Sequence, residues 1–188
     1  MLPAAAPALS RSELVISPAP SAYFGVGAVG RLPGLVRASG DAAVVVTDAA
    51  LAATTVVAGV AGVLWAAGMP VTVFCGVHPN PTTDDLAAGA EVAAGAGPRV
   101  ALVAVGGGSA IDAAKGIALA AVNPQRGRDL DYRGRFASPA LPIVAVPTTA
   151  GTGAETNAFG VVTDPGSRRK FYVGHASTLP AAAAWTRS

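Results

Sequence analysis

The stretch VALVAVGGGSAID, residues 100–112, decides how the chain reads. Val100 to Val105 is an apolar run of strand length with no polar interruption. A strand without alternation is buried on both faces, as in a parallel sheet. Three glycines follow, and then an alanine-rich run from Ser109 to Val122 that suits a helix. Strand, glycine turn and helix together let the backbone turn sharply and let a ligand approach without side-chain obstruction. The first turn of a helix offers unpaired N–H groups and the positive end of its dipole, surroundings that favour a phosphate. Ser109 is the expected N-cap, with Asp112 completing a capping-box-like pair. A plain tight turn that binds nothing is the alternative, although such a turn rarely needs three glycines.

Working outward, strands alternate with helices. Residues 42–47, AAVVVT, read as a buried strand, 50–67 as a helix, and 71–74 as a strand. Residues 84–96 read as a helix that Thr83 could cap, and 141–146 as a further strand. This alternation predicts an α/β, Rossmann-like fold, a mostly parallel sheet with helices on both faces. Residues 123–139 are polar and broken by Gly and Pro, so a surface loop is expected. Residues 159–163 and 170–173 flank Asp164-Pro165-Gly166-Ser167 and predict a β-hairpin turning at Pro165-Gly166. Residues 1–20 carry Pro3, Pro7, Pro18 and Pro20 and read as an irregular arm with one short strand at 14–16. No internal repeat is visible.

Composition narrows the function classes. Apolar residues make up 52% and charged residues 13%, which excludes a charge-rich disordered chain. The net charge of +2 is spread thinly. Its densest group, Arg126, Arg128, Arg133 and Arg135, is mixed with Asp129 and Asp131, so a solvated loop is expected and no nucleic acid partner. The single cysteine, Cys75, excludes an internal disulfide framework and sits in an apolar run, where a buried thiol is expected. Residues 49–77 carry no charge, but Gly68, Met69 and Pro70 divide them into a helix and a strand, so no membrane span is expected. The N-terminus lacks the basic region of a leader, which makes the cytoplasm the expected location.

Two further motifs compete with or complement the glycine turn. Gly25-Val26-Gly27-Ala28-Val29-Gly30 is a literal G-x-G-x-x-G, and Asp48 follows about 20 residues on, as a dinucleotide fingerprint asks. Its preceding strand would have to include Pro18 and Pro20, which a central strand tolerates poorly. Pro147-Thr148-Thr149-Ala150-Gly151-Thr152-Gly153-Ala154-Glu155 follows a buried strand directly. Its hydroxyls and glycines offer a polar, closely approachable surface at the strand's carboxyl end, where open α/β sheets bind ligands. Thr152 and Glu155 also suit a capping box.

In this order and spacing, GGGSAIDAAKGIA (106–118) and PTTAGTGAE (147–155) resemble the iron-containing alcohol dehydrogenases. FGVGAVGRLPGLV (24–36), VVVTDAAL (44–51) and GVHPNPT (76–82) fit the same pattern. The resemblance spans about residues 20 to 184 and implies a dehydroquinate synthase-like N-terminal domain. It implies hydride transfer between NAD(P) and a small alcohol or aldehyde. Asp48 would bond the adenosine ribose and disfavour a 2′-phosphate, so NAD is expected over NADP. Asn80 would border the adenosine. Gly107, Gly108 and Ser109 would hold the pyrophosphate, with Asp112 in the first helical turn. Thr148, Thr149 and Thr152 would line the cleft, and Lys170 would approach the ribose and phosphates. Solvated or capping roles for Asp48 and Lys170 stay open. Glycerol dehydrogenase and maleylacetate reductase are related alternatives. A stand-alone nucleotide-binding module, or a homo-oligomer, is also compatible.

The chain departs from the pattern in two respects. The family's metal, Fe²⁺ or Zn²⁺, is held by an aspartate and three histidines in a helical C-terminal half. This sequence holds two histidines, His78 and His175, and neither lies in a matching motif. The expected organisation is therefore an arm at 1–20, a dinucleotide-binding domain at 21–184, an aberrant tail at 185–188, and no helical metal-binding domain. After Leu179-Pro180 and four alanines the family continues Val-Asp-Pro, where this chain has Trp185-Thr186-Arg187. GTG-GAC-CCG read one base later gives Trp-Thr-Arg, so a frameshifted, truncated reading frame is the hypothesis. Resequencing the locus tests it: an in-frame stop with no dehydrogenase-like coding in another frame downstream defeats it.

Overall fold

The computed structural model describes residues 20–185. The strand expected at 14–16 lies outside them. Eight strands form among the described residues, in chain order β1 Ser21–Phe24, β2 Ala42–Val46, β3 Val71–Phe74, β4 Val100–Gly106, β5 Ile143–Pro147, β6 Phe159–Asp164, β7 Arg169–Gly174 and β8 Ala182–Trp185. Five α-helices accompany them: α1 Leu32–Arg37, α2 Ala49–Ala52, α3 Thr55–Ala66, α4 Thr83–Gly95 and α5 Gly108–Ala120.

Six strands make one sheet in the order β1-β8-β5-β4-β2-β3. Every pairing in it is parallel. The seven residues of β4 are all buried, as their uninterrupted apolar run requires. Side chains alternate between two apolar layers. Ala43, Val45, Val103 and Val105 pack with α1 and α3 through Leu32, Val36, Val57, Val60 and Leu64. Val44, Val46, Leu102 and Ala104 pack with α4 and α5 through Leu86, Ala90, Ile111 and Ile117. Helices therefore cover both faces. The hairpin β6–β7 is a separate antiparallel pair, and its Val162, Phe171 and Val173 join the α4–α5 layer.

Several elements differ from expectation. The helix expected over 50–67 is two helices, because Thr54 takes extended geometry and its Oγ1 donates to the Leu51 carbonyl at 2.6 Å. Thr82, not Thr83, caps α4, in a reciprocal capping box with Asp85. The hairpin closes through 165–168, longer than Pro165-Gly166 alone, and the Asp164 carboxylate accepts the amides of Gly166 and Ser167. The surface loop at 123–139 holds a 3-10 turn, Gly127–Leu130, that buries Leu130. Within the uncharged run at 49–77, α3 ends at Ala66 and Gly68 takes φ +74°. No described helix is long and apolar enough to cross a membrane.

β1 and α1 were not foreseen. The strand before Gly25 starts after both Pro18 and Pro20, on the outer edge of the sheet, so the prolines do not forbid it. Trp185, placed by the sequence in the aberrant tail, is the last residue of β8. It pairs in register with Phe24 and stacks on it, ring centres 4.1 Å apart.

Candidate functional site

The sheet order locates the site before any side chain is considered. From β2 the chain moves outward to β3, and then returns past β2 to β4, β5 and β8. The connections from β2 and β4 thus leave in opposite directions and open a crevice at the strands' carboxyl ends. Asp48 follows β2, and Gly107, Gly108 and Ser109 follow β4. Together with residues after β3 they line one cleft of about 570 Å³.

The glycine turn is held open by its neighbours. Gly106 has φ +147°, a conformation side chains rarely adopt. A Cβ on Gly107 would lie 2.9 Å from Thr149 Oγ1, and one on Gly108 would lie 3.1 Å from Thr152 Cγ2. The Thr148 amide donates to the Gly106 carbonyl at 3.0 Å and anchors the threonine loop beside the turn. Thr148 and Thr149 face a second cavity of about 760 Å³ shared with Phe24 and Trp185. Thr152 lines a third, of about 540 Å³, with Ser109, Asp112 and Tyr172. The three cavities flank one glycine turn.

Helix α5 starts earlier than the sequence suggests. Gly107 is its N-cap, in extended geometry and without a side-chain cap, so its first-turn amides point out unpaired. Ser109 is therefore not the N-cap, and Asp112 is not its capping partner. Ser109 Oγ accepts the Asn80 amide at 3.4 Å. Asp112 Oδ2 accepts the Val161 amide at 3.0 Å and ties the hairpin to α5. Burial raises the Asp112 carboxyl above its usual value, against the lowering effects of the Val161 amide and Lys115. Thr152 Oγ1 accepts the Ala154 amide at 3.3 Å at the start of a 3-10 turn capped by Gly153, so the Thr152–Glu155 box does not form.

Asp48 caps α2, its Oδ1 accepting the Leu51 amide at 2.8 Å. Asn80 adopts φ +57° and accepts a hydrogen bond at Oδ1 from Lys170 Nζ at 2.7 Å. The hairpin lysine therefore closes over the loop that contacts Ser109. Among the expected residues, Asp48, Gly107, Gly108 and Ser109 share one cleft, Asn80 and Lys170 form its rim, and Asp112, Thr148, Thr149 and Thr152 flank it. Cys75 is exposed on the same cleft, not buried, because β3 is an edge strand whose end opens to solvent.

Within 106–118 lies a further residue that its motif alone does not single out. Lys115 is fully buried, and Nζ donates to the carbonyls of Phe159 at 2.6 Å and Ala154 at 2.7 Å and to Asn157 Oδ1 at 3.2 Å. Burial pulls its pKa down to about 8, with Asp112, whose Oδ1 is 3.7 Å away, opposing. The available signal was a lysine flanked by Ala113, Ala114, Gly116 and Ile117, on a helix with too few polar residues to form a wet face.

The histidines are occupied structurally. His78 Nδ1 lies 2.8 Å from Asp85 Oδ1, and His175 caps a 3-10 turn through Ser177. Burial works to raise the Asp85 carboxyl, but the amides of Thr82 and His78 and the His78 ring outweigh it and hold it below its usual value. Among the described residues no three His, Cys, Asp or Glu side chains converge as a metal would need.

An entirely parallel sheet with an open glycine turn at its switch point defines a Rossmann-like α/β domain. The chain belongs to the iron-containing alcohol dehydrogenase family, whose model matches residues 19–186. It is 41% identical over 154 residues to a lactaldehyde reductase of Escherichia coli, covering 80% of this chain and 40% of that protein. It is 38% identical over 157 residues to an NAD-dependent methanol dehydrogenase of Bacillus methanolicus, covering 82% of this chain and 40% of that protein. The fold superposes on a sulfoacetaldehyde reductase from Bifidobacterium kashiwanohense, solved with NAD⁺, with a TM-score of 0.78 and 29% identity over 93% of this chain and 46% of the other. The chain thus spans about 40% of the length of the curated relatives it matches.

Proposed function

We propose that these residues form the NAD-binding portion of an oxidoreductase that transfers hydride between a dinucleotide and a small alcohol or aldehyde. The observation that carries this is the turn at Gly107-Gly108, where a Cβ would meet Thr149 or Thr152, beside unpaired first-turn amides of α5. A pyrophosphate fits such a cradle: amides donate to its oxygens and the helix dipole favours its charge. Asp48, in the same cleft, accepts from ribose hydroxyls and repels a 2′-phosphate. Asn80 and Lys170 close the rim, and Thr148 and Thr149 border the path toward the Phe24–Trp185 cavity. A bound nicotinamide supplies the hydride donor or acceptor.

The described residues do not fit a metal, so no polarising step belongs to them. These 188 residues alone are expected to bind dinucleotide without oxidising NADH in the presence of aldehydes, with or without Fe²⁺ or Zn²⁺. Calorimetric titration tests the central reading. NAD⁺ should bind and NADP⁺ should bind more weakly; absence of heat from both overturns it.

A further inference from the structure

Lys115 links two parts of the cleft that share no strand. Its ammonium has three N–H donors and meets three oxygens, those of Ala154, Asn157 and Phe159. The Ala154 amide in turn donates to Thr152 Oγ1, and Thr152 packs against Gly108. Helix α5 therefore grips the threonine loop twice, through Gly108 in its first turn and through Lys115 two turns later. The same ammonium holds the start of β6 by the Phe159 carbonyl, while Asp112 holds its Val161 amide. Gly160 lies between them, so close to α5 that its Cβ would be 3.0 Å from the Asp112 backbone.

We propose that protonated Lys115 is a positioning residue for the dinucleotide, fixing the Thr152 wall against the Gly108 end of α5 and loosening it on losing a proton. The inference rests on the dinucleotide reading. A neutral amine has two N–H groups for three oxygens, so one buried acceptor loses its donor and the loop relaxes to hydrate it. Titration falls within an accessible range because burial lowers Lys115 to about 8, while the carboxylates facing it, Asp112 on α5 and Glu155 on the loop, act to raise it. The hairpin brings the main-chain oxygen of Phe159 to the ammonium. By linkage, a ligand that favours the protonated state raises the pKa of Lys115 when it binds.

The sequence holds two lysines, Lys115 and Lys170, so lysine labelled with ¹³C at Cε gives two signals, assigned with Lys170→Arg. Lys115 is expected to titrate near 8 in the free chain and at higher pH with NAD⁺. NAD⁺ affinity should fall roughly 3- to 10-fold above that midpoint, the net worth of about one hydrogen bond. Lys170→Arg, whose charge persists, should keep this pH dependence. Lys115→Met should bind more weakly and lose it. A dependence that vanishes in Lys170→Arg, or unchanged affinity in Lys115→Met, overturns the proposal. If Lys115→Met does not fold, the profiles of the parent and Lys170→Arg still decide. If NAD⁺ does not bind the parent chain, the dinucleotide reading fails separately. Hydrogen exchange at the Phe159 and Val161 amides, corrected for intrinsic rates, then decides the clamp: protection lost through the Lys115 midpoint supports it, and constant protection overturns it.

Discussion

At Asp48 one carboxylate carries two duties that substitution can separate. It caps α2 through the Leu51 amide and it lines the cleft. Asparagine caps nearly as well as aspartate but has no charge. Asp48→Asn should therefore keep thermal stability while NADP⁺ gains on NAD⁺ by about tenfold, roughly 1.4 kcal/mol of relieved repulsion. Asp48→Ala should lose about 1 kcal/mol of stability as well. Thermal unfolding and calorimetry on both variants check this, and an unchanged NAD⁺ to NADP⁺ ratio in Asp48→Asn removes Asp48 from the ribose site. The sequence singles out these positions but does not give their geometry. Ser109 and Asp112 have the spacing of a capping box, yet the cap falls on Gly107, where a Cβ would meet Thr149, and the helix begins earlier. Lys115 was hidden because its oxygens come from residues some 40 positions away, which no local pattern records.

Between elements, glycines report contacts that helix propensity alone would misjudge. A Cβ on Gly116 of α5 would lie 2.3 Å from Leu86 Cδ1 of α4, and one on Gly89 of α4 would lie 2.3 Å from Ile117 Cδ1 of α5. Each helix offers a notch to the other's branched side chain. Gly62 of α3 would meet nothing within 4 Å. Gly62→Ala is expected to stabilise by about 0.5–1 kcal/mol, since alanine is the better helix former. Gly116→Ala gains the same propensity but overpacks the interface, with an expected net loss of about 1–2 kcal/mol. Denaturant titration reads both signs; two stabilising substitutions would show that α4 and α5 can separate without cost. Strands and long helices were legible because apolar runs and periodicity are local. Helix α1 was not, since LPGLVR is short and Gly/Pro-broken, and within it only Leu32 and Val36 are buried.

Across the whole molecule, α/β alternation predicted a parallel sheet, but not that the earliest described strand would lie against the latest. Strand order depends on which apolar faces meet, and β1 is too short and exposed to announce a partner. The pairing of Ser21 with Ala182 spans roughly 160 residues. It gives the fold a timetable. On a ribosome adding about 5–20 residues per second, β1 waits on the order of ten seconds or more before its partner is made. Until then β5 lacks one parallel neighbour and presents an unpaired edge with apolar flanks, open to foreign strands. Nascent chains arrested after Thr178 should therefore remain protease-sensitive and hold chaperones. Chains extended past Trp185, with enough tether to clear the exit tunnel, should become resistant in one cooperative step. Equal resistance at both lengths would mean that the sheet closes without β8. β8, the latest of the described strands, thus acts as the latch of a slow, late-closing sheet, and the time this sheet stays unlatched is set by translation speed.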